Sequence, residues 1–174
     1  VTQALWKAVM GSNPSYVPGD ILPVERVSWN DCQTFIEKLN QITGRNFRLP
    51  TEAQWEFAAR GGNNSRGYMY SGSDSIDSVA WYGTDRTHEV ATKQPNELGI
   101  YDMSGNVWEW CSDWYGDYTS AAQTNPRGVP SGSCRVDHGG GWFNEAKECR
   151  VSVRNNYVPP FAYYTLGLRL ALMP

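Results

Sequence analysis

The stretch from Gly99 to Tyr115, GIYDMSGNVWEWCSDWY, constrains this chain more than any other. Three of its eight tryptophans, Trp108, Trp110 and Trp114, fall here, with Asp102, Glu109 and Asp113 set among them. Rings of that size bury large apolar areas, so three this close anchor a core. A carboxylate between them needs a cation or several donors, because an unpaired buried charge is too costly. Glu109 is therefore expected to meet an arginine or a metal ion. A core strand with one structural ion pair and a functional acid are both consistent with it.

Around that stretch the chain is rich in turn residues. Its 174 residues include 17 glycines and 10 prolines, and 13% are aromatic. This describes a loop-rich fold, a single domain over 1–174 with enough length for a full core. Aromatic loops on a rigid scaffold suit binding surfaces. The formal net charge is -3 and no run of Lys or Arg occurs, so nucleic acid is not an expected partner. No apolar stretch approaches the length of a bilayer span. Val1 follows no charged and apolar leader, which fits an excised domain or a trimmed one. Cys32, Cys111, Cys134 and Cys149 lie far apart with no CxxC, which is neither a zinc pattern nor a disulfide scaffold. Zero, one or two bridges fit that spacing.

Local signals are clearest for three helices. Thr2 caps a short one through Met10, with Leu5, Trp6 and Val9 on one face and Gly11 as its stop. A second opens at Ser28 or Asn30, carries Cys32, Phe35, Ile36, Leu39 and Ile42 at helical spacing, and ends at Gly44. In RLPTEAQWEFAARGG, Thr51 and Gln54 make a capping box, and Trp55, Ala58 and Ala59 form a narrow apolar face. This third helix reads as structural. Val24 to Val27 is expected to be extended. From Asn63 to Asn96 short strands and long loops are expected, with His88 a solvated loop residue. CRVDHGGGWF and CRVSVRNN read as short strands. Leu166, Leu168, Leu170 and Leu172 alternate with Gly167, Arg169 and Ala171 as a last strand with one buried face.

In order, RLPTEAQWEFAARGG, LGIYDMSGNVWEWCSDWY, the turn Gly139 to Trp142 and TLGLRLA at Thr165 to Ala171 resemble the sulfatase-modifying-factor family, also called formylglycine-generating enzyme domains. The opening VTQALWKAVMGSNPS is similar too, so the resemblance covers essentially the whole chain. It implies an α+β, loop-rich variant of the C-type lectin fold with short strands and two to three helices. Active relatives oxidise a client cysteine to formylglycine with two cysteines after the glycine turn, and with copper in the aerobic enzymes. Here that loop reads GGGWFNEAKECR: Asn144 stands where the first cysteine is expected, and Cys149 is left alone. One soft ligand cannot make the pair that Cu(I) needs, so no copper is expected and Cys149 reads as structural. The alternative reading is a formylglycine-generating oxidase or accessory factor for a sulfatase. Iron-dependent relatives take histidine ligands from an added domain, whereas this chain has only His88 and His138. The resemblance also implies a calcium site at Asp102, Gly105, Val107 and Glu109, of oxygen ligands. Arg60, Arg150 or Arg169 would answer the need of Glu109 equally well. At a second calcium site of the family Val79 replaces a carboxamide.

Framework positions of the C-terminal segment (Trp142, Cys149, Arg150, Arg154, Pro159, Leu166, Gly167, Arg169) look like their family counterparts. Between them lie Phe143, Asn144, Asn156, Tyr157, Val158, Phe161, Ala162, Tyr163 and Tyr164. Rings exposed together on a short loop form a patch that monomers avoid. The arrangement resembles the variable proteins of diversity-generating retroelements, which carry a diversified C-terminal cassette on this fold. A non-catalytic receptor or display protein follows, binding a protein or cell-surface ligand through Trp142, Phe143, Asn144, Asn156, Tyr157, Phe161, Ala162, Tyr163 and Tyr164. Aromatic display loops lean towards an extracytoplasmic or cell-surface location. Oligomeric state has no signature in these residues.

Overall fold

The computed structural model describes residues 1–172. Helix α1, Gln3–Met10, begins where the Thr2 side chain accepts from the Leu5 amide and stops at left-handed Gly11. Helix α2, Trp29–Thr43, opens on a capping box between Ser28 and Asp31 and ends at Gly44. Its stripe Cys32, Phe35, Ile36 and Leu39 is buried, while Ile42, read as the last member, faces solvent. Strand β1, Phe47–Arg48, leads into α3, Glu52–Ala59, whose Thr51–Gln54 capping box forms as the spacing predicts. Helix α4, Ile76–Val79, is one turn in a long looped region where short strands were expected.

Strand β2, Trp108–Trp114, is the organising element. It pairs with antiparallel β3, Arg135–His138, and β3 pairs with antiparallel β4, Arg154–Tyr157. On its other edge β2 meets β5, Leu166–Gly167, in parallel, which gives the order β4-β3-β2-β5. Strand β6, Ala171–Leu172, instead pairs with β1 in a second, two-stranded sheet.

Because β2 is covered on both faces, its alternation divides two apolar clusters. Trp108 and Trp110 join the main core with Trp6, Phe35, Leu49, Leu166 and Leu168. Cys111 turns to the second cluster, around Trp55, Met103 and Val136. Trp6 stacks on Phe35 with centroids 4.7 Å apart, locking α1 to α2.

Three expectations are corrected. Val24 and Val27 are fully buried, yet this segment forms no strand; its backbone is used elsewhere, the Val24 amide on the Val1 carbonyl and the Arg26 amide on the Tyr163 carbonyl. The fourth strand covers only the end of CRVSVRNN and runs on to Tyr157, at RNNY. The last strand is two, because the chain leaves β2 after Gly167 and pairs again only at Ala171. Leu172 is 51% exposed, so the leucine alternation does not share one buried face.

Asp137 in β3 is fully buried, with Asn155 as donor to Oδ2 and no partner for Oδ1. Burial pushes its carboxyl up to about 8, the Asn155 hydrogen bond opposing. A raised carboxyl contributes stability that is present below its unfolded value and is lost as pH rises through the folded one. The chain should therefore lose stability steadily from about pH 4 to pH 8 on this group's account. Asp137→Asn should flatten that slope and gain ~2 kcal/mol or more at pH 9, read by urea unfolding across pH.

Candidate ligand-binding face

The turn after β3 is built on backbone that tolerates no side chain. Gly140 has φ +76°, and a Cβ there would lie 2.6 Å from the Cys149 sulfur. Beyond it the Trp142 amide donates to the Asn106 carbonyl at 2.8 Å, and the Trp142 carbonyl accepts from the Thr84 amide at 2.7 Å. Asn144 fixes the turn from inside: its Oδ1 accepts from Trp108 Nε1 at 2.9 Å and from the Gly141 amide at 2.8 Å. Asn144 is buried, so its expected role as a contact residue is corrected to a structural one. Removing it would strand two buried donors.

From this turn a path of rings runs along the C-terminal segment. Phe143 meets Trp142 edge-on at 5.7 Å, and Trp142 meets Tyr164 at 5.7 Å. Tyr164 lies 4.0 Å from Tyr163, Tyr163 5.8 Å from Phe161, and Phe161 stacks on Tyr157 at 4.3 Å. The Tyr163 hydroxyl donates to the Tyr164 hydroxyl at 2.7 Å. Tyr16, from the N-terminal loop, adds its ring 6.0 Å from Tyr164.

The expectation of outward rings is corrected in degree. Tyr157, Phe161 and Tyr163 are half-buried and pack against the main core, because β4 and the turn after it lie on the Trp110 side. Trp142, Asn156 and Tyr164 are half-buried as well. Phe143 and Val158, each 46% exposed, and Ala162 face solvent. The result is a pre-organised strip with a rigid floor and an exposed rim.

All four cysteines are free. Cys149 is buried with Tyr70, Val79 and Ala80, and burial pushes its thiol up to about 12. No other cysteine belongs to that cluster.

At Glu109 the partner is an arginine. Glu109 Oε2 accepts from Trp55 Nε1 at 2.7 Å and from Arg169 Nε. Arg169 Nη2 also donates to the carbonyls of Tyr101 and Asp102 at 3.0 and 3.1 Å. Asp102 Oδ2 accepts from the Ala91 amide at 2.8 Å. Gly105, read as a carbonyl ligand, donates its amide to the Gly139 carbonyl at 2.7 Å, and Val107 is buried beside it. Arg169 is thus the arginine partner that Glu109 was expected to need as one of two answers. Among the described residues no three His, Cys, Asp or Glu side chains gather to hold a metal.

The Sulfatase-modifying factor enzyme 1-like domain family matches residues 1–173. The chain belongs to this family. Among solved structures, Treponema denticola variable protein 1 superposes with a TM-score of 0.93 at 35% identity, covering 100% of this chain and 82% of that one. The formylglycine-generating enzyme of Thermomonospora curvata is 33% identical over 197 residues, covering 100% of this chain and 63% of the enzyme. The Chaperone protein LppX of Paenibacillus barcinonensis is 33% identical over 205 residues, covering 87% of this chain and 70% of that protein. The chain thus spans less than two thirds of the length of that enzyme. The fold is the formylglycine-generating-enzyme type of C-type lectin fold, α+β and loop-rich.

This sulfatase-modifying-factor-like domain holds a second polar constellation that the sequence did not announce. Glu52, in the first turn of α3, accepts from the Tyr118 hydroxyl at 2.9 Å and from Arg154 Nη2 at 2.7 Å, with His138 Nε2 at 3.0 Å. Burial pushes the Glu52 carboxyl up, but the His138 hydrogen bond and the Arg154 charge outweigh this and hold it below its usual value. Arg154 is clasped between the rings of Tyr115 and Tyr118, 4.3 Å from each. His88, read as solvated, is half-buried and stacked 3.8 Å from Trp81. Among the described residues no helix is long and apolar enough to cross a membrane.

Proposed function

We propose that this domain is a non-catalytic ligand-binding protein whose C-terminal aromatic strip contacts a protein or cell-surface ligand. The observation that carries the reading is the strip itself: joined rings on a fixed floor, with Phe143, Val158 and Ala162 as an exposed rim. Half-buried rings lose little rotamer freedom on binding, and tyrosine hydroxyls supply specificity. The similarity to Treponema denticola variable protein 1 over the whole chain supports the same reading, including diversification of the segment. Its surface display on the cell belongs to the proposal.

The oxidase reading is disfavoured by the site. Asn144 and Cys149 stand at the two positions of the family's cysteine pair; the first is locked under Trp108 and the second has a buried, weakly acidic thiol. Asn144 supplies no sulfur, so one cysteine stands where the family uses two. No resident copper is part of the proposal.

Incubating the domain with copper, oxygen and a sulfatase-type cysteine peptide should yield no aldehyde product by mass spectrometry. Catalytic turnover to formylglycine would overturn the reading.

A further inference from the structure

Between α3, the end of β2 and the loop that follows lies a cavity of about 430 Å³ that shares no residue with the aromatic strip. That volume falls within the range of small-ligand sites. Its walls are largely apolar, with Trp114, Tyr118, Val129 and Pro130 among them. Its charged groups are unequal in what they have left to offer. Arg154 is held by Glu52 and by the Gly116 carbonyl, which accepts from Nη1 at 2.7 Å. Glu52 is in turn filled by Tyr118, His138 and Arg154.

Asp113 is different. It is 3% exposed, and both of its donors, the Glu52 amide at 3.0 Å and the Ser112 hydroxyl at 2.9 Å, go to Oδ2. No described residue donates to Oδ1. Gly128, at φ +72°, keeps that oxygen uncovered: a Cβ there would lie 2.9 Å from the Asp113 Cβ and 3.3 Å from Oδ1. Burial pushes the Asp113 carboxyl up, so a cation brought to it would favour its charged form. Glu56 and Asp117 at the rim add the same sign of field, although Glu56 already pairs with Arg60.

We infer that this cavity is a binding site for an organic cation, an amidinium or guanidinium head on an apolar stem, which donates to Asp113 Oδ1 while the stem lies along Trp114 and Tyr118. The carboxylates Glu52, Glu56, Asp113 and Asp117 outnumber Arg154 in the lining, so the field of the cavity favours a cation over an anion. A neutral stem would displace solvent from Asp113 Oδ1 without supplying a donor in its place, which is unfavourable. One face of Trp114 is already covered by the Arg135 guanidinium at 3.4 Å, so the protein itself uses the same pairing of cation and ring here.

Benzamidine titrated into the whole chain, followed by amide shifts at Gly128 and Val129 in two-dimensional NMR, tests this directly. Benzamidine should bind at least tenfold more tightly than its neutral isostere benzamide, and benzoate should not compete. Asp113→Asn should weaken benzamidine at least tenfold. Should that variant fail to fold, Ala121→Trp on the exposed rim fills the cavity and should do the same. A second titration with acetyl-glycyl-arginyl-glycinamide separates the two sources of the ligand. Tighter binding of the peptide assigns the cation to a partner's side chain, and tighter binding of benzamidine assigns it to a free small molecule. Equal affinity for benzamide, or benzamidine affinity unchanged in both variants, would overturn the site.

Discussion

Arg169→Ala is expected to lower the free energy of unfolding by roughly 3–5 kcal/mol, because it leaves a buried carboxylate without its cation. Glu109 is the second residue of β2, opposite His138 and beside Gly167, with Trp55 Nε1 as its other donor. Arg169 also bonds the carbonyls of Tyr101 and Asp102, so the loss reaches the loop that leads into β2. Glu109→Gln, which keeps an acceptor for Trp55, should cost less. Joint replacement of Glu109 and Arg169 by methionine should recover most of the loss, since the desolvation cost disappears with the pair. Urea unfolding measures all three. The same series decides between arginine and calcium: millimolar calcium should leave the wild-type midpoint unchanged, and a raised midpoint would show that an ion shares Glu109.

The second large effect is expected at Glu52. Glu52→Ala should cost roughly 3–5 kcal/mol, because Arg154 and His138 would remain buried without their common acceptor. The Glu52 carboxyl is held below its usual value by those two partners against burial, so its contribution is present above the unfolded value and is lost as pH falls through the folded one. Asp137 has the opposite sign, its contribution fading as pH rises to about 8. Stability should accordingly pass through a maximum on the acid side of neutrality. Glu52→Ala should flatten the acid limb of that curve and Asp137→Asn the alkaline limb.

How far the fold could be read from residues alone follows from the range of each interaction. The caps of α1, α2 and α3 are decided within four residues by Thr2, Ser28 and Thr51, and all three formed where the spacing put them. The central strand was legible because three tryptophans and a carboxylate admit few other solutions. Pairings were not: Glu52 reaches His138 across 86 positions and Arg154 across 102, and nothing near Thr51 marks that helix as more than well capped. Arginine was legible as one answer for Glu109, but only the turn between β5 and β6 selects Arg169. The aromatic segment was read correctly as a cluster and too generously as a surface. Pro159 and Pro160 turn the chain after β4, and the amide of Phe161 closes that turn on the Val158 carbonyl at 2.9 Å, which lays Phe161 back against Tyr157. Asn144 was read as a ligand contact because it lies between framework positions; its partner Trp108 is 36 residues away.

Two display libraries test the central claim most directly. One randomises the rim and edge of the strip, Phe143, Asn156, Val158, Ala162 and Tyr164; the other randomises Thr34, Glu37, Lys38, Gln41 and Ile42 on the exposed side of α2. Both are panned against one purified protein, and both are scored for folded display. A ligand-binding strip on a rigid floor predicts binders from the first library and few from the second, with folding retained in both and lost when Asn144 is randomised. Equal yields from the two libraries, or collapse of folding in the first, would contradict it.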